Sequence, residues 1–190
     1  MLDSLIHKDI ELLIYLNNLG SLQWDGFWLF ITNKYSAIPL YLVLLYFTYK
    51  YYGLKRTFIA VLFVVLLITV SDQTCNLFKY GFKRLRPCHD ENVSQFIRMV
   101  KDSCGGLYGY FSAHAANSMS IAVFFGLLLK RKNNYLFPIL IIWALAAAYS
   151  RIYIGVHYPL DVITGVLLGV IYGTLFYKLY KLFLQKFIKL

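Results

Sequence analysis

Acidic residues are scarce in this chain: Asp and Glu number 9 against 19 Lys and Arg, and only 15% of the 190 residues are charged. No cluster of carboxylates offers itself to a divalent cation, so the reading assigns no metal and no cofactor. Long polar linkers, low-complexity tracts and internal repeats are missing as well, which argues for a single domain over residues 1–190. Three cysteines are too few for a disulfide-built scaffold. Near the N-terminus, Asp3, Asp9 and Glu11 stand where a secretory signal carries basic residues, so a cleaved signal peptide is not expected.

What is plentiful is apolar surface. Hydrophobic residues make up 59% of the chain and aromatics 18%, and the mean hydropathy is +0.59. A soluble domain is roughly half apolar even when glycine is counted. The expected class is therefore an all-α integral membrane protein. A bilayer core of ~30 Å takes about 20 mostly apolar residues per helix. Five runs answer to that: 38–50 with an extension upstream towards Tyr35, 56–78, 112–129, 135–152 and 159–184. Residues 1–34 are apolar in two pieces, interrupted by Asn17, Asn18, Gly20, Ser21, Gln23 and Asp25. That pattern predicts an amphipathic helical hairpin at one interface, anchored by Trp24 and Trp28, with a sixth, broken span as the alternative. The bundle thus has five to six transmembrane helices.

The basic residues are not spread as a nucleic-acid-binding stripe, so nucleic acid is not expected as a partner; the bilayer is. With five spans, Lys50, Lys55 and Arg56, then Lys130, Arg131 and Lys132, then Lys178, Lys181, Lys186 and Lys189 all fall on one side, which the positive-inside rule makes cytoplasmic. The opposite face is cationic too. Lys83, Arg84, Arg98 and Lys101 read there as solvated loop charge or headgroup contacts. The rest of that face carries three short stretches: 79–87, 111–114 and 150–161. Moving a phosphoryl group requires cations and donors around the equatorial oxygens, a nucleophile in line and an acid for the leaving oxygen. Lys79, Arg86 and Arg151 supply the charge, Ser112 a hydroxyl at a helix start, and His157 and His114 the two imidazoles. Pro159 suits the first helical position after His157. Asp161, four residues beyond that histidine, can reach back to fix its tautomer; a capping Asp beside a structural His fits the same spacing equally well.

Taken together these stretches resemble the signatures of the type 2 phosphatidic acid phosphatase (PAP2) superfamily. Lys79, Arg86 and Pro87 match KxxxxxxRP. Phe111 to His114 is similar to PSGH, with Phe for Pro and Ala for Gly. Ser150, Arg151, His157 and Asp161 match SRxxxxxHxxxD. The resemblance implies a metal-independent phosphatase in which His157 becomes a phosphohistidine, Asp161 orients it, and His114 protonates the leaving group. Lys79, Arg86, Ser112, Arg151 and the amide of Ala113 would hold the phosphate, with Ser150 behind them. Asp72, seven residues before Lys79 and inside a span, is expected to support the basic cluster from below. Cys88 and Cys104 fall in the non-cytoplasmic loop and are expected to pair, whereas Cys75 packs within a span. Gly105, Gly106 and Gly109 with Tyr108 and Tyr110 form a lid or ordinary turns in the same loop. The partner is then a membrane lipid phosphate. Undecaprenyl diphosphate is favoured, with phosphatidylglycerophosphate, phosphatidic acid or lipid A as alternatives; a headgroup phosphotransferase and a non-catalytic binder of anionic lipid are the rival functions. The expected location is a bacterial inner membrane with the site on its periplasmic face.

Overall fold

Gly53, in the left-handed region at φ 77°, breaks what is otherwise one helix of 45 residues. A computed structural model describes residues 2–188, so Lys189 of the C-terminal cluster lies outside them. Its helices are α1 (Leu2–Asn18), α2 (Leu22–Thr32), α3 (Ile38–Phe82), α4 (Glu91–Ser94), α5 (Ala113–Leu129), α6 (Leu136–Tyr153) and α7 (Pro159–Phe187). Among the described residues no β-strand is formed, only an isolated bridge between Leu85 and Tyr108. The two spans expected upstream, 38–50 and 56–78, are the two arms of α3. A straight helix of that length would run roughly 67 Å, yet Tyr41 and Ile68 line the same cavity. The chain doubles back at Gly53, and the two expected crossings are kept.

Hydrogen bonds tie the ends together. The Tyr52 hydroxyl donates to the Leu128 carbonyl (2.8 Å) and the Tyr180 hydroxyl to the Arg56 carbonyl (3.2 Å). The Gly53 turn, the end of α5 and the late turns of α7 therefore meet, and with them the three basic clusters. At the other end, the Ser112 amide donates to the Asp161 carbonyl (3.0 Å) and the Cys75 thiol to the Phe111 carbonyl (3.2 Å). That end collects the three motifs.

Helix α5 is the axis of the bundle, buried along nearly its whole length between α3, α6 and α7. Its closest partner is α7. Gly165, Gly169 and Gly173 recur every four residues on one face of α7, where an added Cβ would meet the carbonyl oxygens of Ser112 at 2.6 Å, Ala116 at 2.7 Å and Ser120 at 2.6 Å. Lipid tails are as apolar as leucine, so helices in a bilayer gain by close backbone approach through small residues. This seam sets the separation of the α5 and α7 N-termini, where the second and third sequence motifs lie.

The N-terminal hairpin is held by the polar residues that interrupt it. Asn17 donates to the carbonyls of Arg98 (3.2 Å), Ile152 (3.2 Å) and Tyr153 (2.7 Å), and accepts from the Arg98 amide (2.6 Å). Asp25 accepts from Arg98 (2.9 Å) and from the Tyr153 hydroxyl (2.8 Å). Arg98 is therefore not solvated loop charge. Trp28 stacks on Tyr153 with centroids 5.2 Å apart, which leaves Trp24 as the exposed tryptophan.

Gly169→Ala is expected to cost about 1–3 kcal/mol by forcing α7 off α5. Gly26→Ala, where the new methyl meets nothing within 4 Å, serves as the control. Thermal unfolding in detergent checks this; equal stability of the two variants would show that the seam does not set the packing.

Candidate active site

The third motif turns a corner. Ser150 and Arg151 lie in the last turn of α6, and α7 starts at Pro159, where the missing N–H has no helical partner to lose. Gly155, at φ 79°, makes the turn possible, and an added Cβ there would sit 2.8 Å from the Arg98 carbonyl. His157 emerges from this corner almost wholly buried, and Asp161 is buried completely. The Asp161 Oδ2 accepts from the Tyr158 amide (3.1 Å) and lies 3.4 Å from Nδ1 of His157. An ionised carboxylate only accepts, so the proton between them sits on Nδ1 and the lone pair of Nε2 is left free. Burial, then the charges of Arg86, Arg151 and Lys79, hold the His157 imidazole well below its ordinary 6.5. The ring is neutral at physiological pH.

Ser112 caps α5, its hydroxyl oxygen accepting from the Ala115 amide (3.4 Å). The amide of Ala113 opens the helix and has no intrahelical carbonyl to bond. His114 follows it, with Arg151 and His157 as electrostatic neighbours. The Arg86 guanidinium donates to the Cys104 carbonyl (3.1 Å) and that of Arg151 to the Thr32 hydroxyl (2.6 Å). The Nε atoms of both arginines are buried without a partner, and neither arginine reaches a carboxylate among the described residues. Burial lowers the proton affinity of Arg86, against the pull of Asp161. Two desolvated cations with spare donors beside a neutral imidazole make a receptor for an anion of phosphate type.

Two separate cavities lie at this end of the bundle. A cavity of about 200 Å³ is lined by His114, Asn117, Ser118, Tyr41 and Trp143. Another, of about 420 Å³, is lined by Lys79, Arg86, Asn76 and Tyr108. His114 borders the first cavity, and Lys79 and Arg86 border the second. Gly109 packs closely on the site: a Cβ there would stand 3.1 Å from Arg86, 3.2 Å from Asp161 Oδ2 and 3.6 Å from His157 Nδ1.

Other expected residues lie further off. The Ser150 hydroxyl donates within α6 to the Ala147 carbonyl (2.7 Å). Asp72 accepts from Asn117 of α5 (2.9 Å), so its hydrogen bond runs towards the helix of His114 and not to the basic cluster. Cys88 and Cys104 are joined as a disulfide, with Cα atoms 6.3 Å apart, in the loop whose Cys104 carbonyl holds Arg86. Among the described residues the one group with metal-ligand spacing is Cys88, His89 and Cys104; with the two thiols joined, His89 stands alone. Sequence reasoning missed Arg84, which pairs with Asp161 (3.0 Å) and Asp9 (2.6 Å) while its guanidinium lies 3.9 Å over the Tyr158 ring. The reading of Arg84 as solvated charge is thereby corrected. Its signal was the acid at position 9, out of place in an apolar helix. Thr32 had no signal of its own.

A model of the PAP2 superfamily matches residues 57–184. The chain belongs to the PAP2 superfamily. This PAP2 phosphatase is 35% identical over 93% of its length to the lipid A 4'-phosphatase of Bacteroides thetaiotaomicron, covering 79% of that protein. It is 31% identical to the undecaprenyl-diphosphatase of Sulfolobus acidocaldarius, over 83% of this chain and 70% of that one. Among solved structures, Aquifex aeolicus LpxE superposes with a TM-score of 0.66 at 25% identity, covering 88% of this chain and 93% of that one. The transmembrane PAP2-type phosphatidylglycerolphosphate phosphatase from Bacillus subtilis shares the fold, with a TM-score of 0.71 at 19% identity over 97% of this chain and 88% of that one.

Because the unfolded chain accepts a proton on this histidine near pH 6.5 and the folded pocket refuses it, the pocket withdraws stability as the pH falls below that value. A histidine-selective NMR titration, assigned by difference with His157→Gln, should find His157 neutral at pH 6.5. A midpoint at or above 6.5 would contradict the burial and charge assigned to it.

Proposed function

We propose that this PAP2 phosphatase hydrolyses a phosphomonoester carried by a membrane lipid, by way of a phosphohistidine on His157. The observation that carries the reading is the pair of buried guanidiniums with unpartnered Nε donors facing one end of the bundle that also holds both imidazoles. Lys79, Arg86, Arg151, the Ser112 hydroxyl and the Ala113 amide would bind the equatorial oxygens, which carry the charge of the transition state. Nε2 of His157 attacks phosphorus in line while Nδ1–H stays on Asp161. The bond to the lipid oxygen breaks, and His114 gives that oxygen its proton. Water then attacks phosphorus, His114 takes the proton back, and inorganic phosphate leaves with the histidine restored.

For the substrate, a lipid A type 4'-phosphate is preferred to the isoprenyl diphosphate that the sequence suggested. In support, two lipid A 4'-phosphatases, from Bacteroides thetaiotaomicron and Porphyromonas gingivalis, align over more of the chain than the undecaprenyl-diphosphatase does. The cavity beside His114 mixes polar side chains, Asn33, Lys34 and Asn117, with apolar Tyr41, Ile68 and Trp143, which suits the sugar of an acylated lipid. A site on the periplasmic face of a bacterial inner membrane is supported by the cationic ends at the Gly53 turn, Lys130 and Lys178, which favour the cytoplasm.

Phosphate release by the purified protein from bisphosphorylated lipid A, undecaprenyl diphosphate and phosphatidylglycerophosphate tests both parts. The lipid A substrate is expected to turn over fastest, and His157→Ala to lose about a thousandfold or more in kcat while remaining folded. Faster release from the isoprenyl diphosphate would reverse the substrate choice. Near-normal turnover by His157→Ala, or transfer to an alcohol in place of phosphate release, would overturn the mechanism.

A further inference from the structure

The carboxylate that orients His157 is itself held from outside the three motifs. Its Oδ2 takes the Tyr158 amide and faces the imidazole, and its Oδ1 accepts from Nη1 of Arg84 at 3.0 Å. The other terminal nitrogen of Arg84 donates to Asp9 of α1 at 2.6 Å. Asp9 is almost wholly buried, and its second oxygen accepts from the Leu160 amide in the first turn of α7 (2.9 Å). A guanidinium fork spanning two buried carboxylates, stacked on the Tyr158 ring, has little freedom left.

We infer that Arg84 and Asp9 are positioning residues of this phosphatase, which keep Asp161 ionised and fixed against Nδ1 of His157. Asp9 lies before residue 57, where the superfamily match begins, so α1 adds a part that the matched region does not contain. The physical need is plain. A carboxylate without exposed surface ionises only if a cation accompanies it, and a protonated Asp161 would no longer accept from Nδ1–H. The imidazole would then lose its preferred tautomer, as happens when the acid of a hydrolase triad is neutralised. The charged and titratable groups around Asp161 are Asp9 from α1, Arg84 and Arg86 from the segment after α3, and His157 and Tyr158 from the turn before α7, with Tyr158 bonded in turn to Asp90 at 3.3 Å. Arg84 alone of these cations makes an ion pair with Asp161.

The sign of the effect follows. Without Arg84, Asp161 holds its proton to higher pH, so the acid limb of kcat/KM moves upward and activity recovers as the medium becomes more alkaline. The inference rests on His157 as nucleophile, and the experiment separates the two. Wild type, Arg84→Gln, Arg84→Lys, Asp9→Asn and the Arg84→Gln/Asp9→Asn double variant are assayed for phosphate release across pH, with vanadate inhibition reporting an intact phosphate pocket. Arg84→Gln is expected to lose about ten- to a hundredfold in kcat, with KM and vanadate affinity near wild type and the acid limb displaced upward. Arg84→Lys should restore the limb, and Asp9→Asn should lower kcat in the wild-type background but add nothing to Arg84→Gln. An active wild type whose acid limb is unmoved in Arg84→Gln, or single losses that multiply in the double variant, would overturn the role given to Arg84 and Asp9 and leave His157 untouched. If Arg84→Gln does not fold, Asp9→Asn and Arg84→Lys decide the matter: wild-type kcat in both refutes the inference. An inactive wild type would refute the nucleophile assignment instead.

Discussion

A carboxylate with no exposed surface, at the third position of α7, is the constraint on which the site depends. Asp161 closes the first turn of its own helix by accepting the Tyr158 amide, and the same oxygen faces His157. One group thus couples a local matter of helix capping to the direction of the His157 lone pair. Such a group is costly to bury, and the surrounding architecture supplies the charge that makes it tolerable. The cations in turn are desolvated by the same packing, which strengthens their hold on an anion.

A bilayer imposes the way these charges meet. Backbone groups in the apolar slab must be satisfied within helices, so functional polar groups concentrate where helices begin and end. Here the end of α3, the starts of α5 and α7 and the end of α6 converge at one end of the bundle, and the glycine face of α7 holds two of those ends at a fixed separation. Helices α1 and α2 contribute through single side chains: Asp9 bonds Arg84, Asn17 and Asp25 bond Tyr153, and Thr32 bonds Arg151.

Spans and motifs were legible because their signals are local. An apolar run of twenty residues, or a histidine and a carboxylate four apart at a helix start, can be read without knowing what lies opposite. The partners of Arg84 and Arg151 could not be read that way, since Asp9 and Thr32 approach them across 75 and 119 positions of sequence. Asp72 illustrates the same limit. Helical periodicity put it on the face of Lys79, but the helix packed against it offered Asn117, and the hydrogen bond went there. The glycines at positions 165, 169 and 173 of α7 went unread in the sequence, and their meaning appears only once α5 is seen against them.

The central claim is that one phosphate-sized pocket is built from Lys79, Arg86, Ser112, Ala113 and Arg151 with His157 in line. An experimental structure with orthovanadate tests it most directly. The account predicts vanadium bonded to Nε2 of His157, its equatorial oxygens within hydrogen-bond reach of Arg86, Arg151 and the Ala113 amide, and its far apical oxygen directed at His114. Vanadate held elsewhere on the chain, or bound in the pocket with His157 turned away, would contradict it.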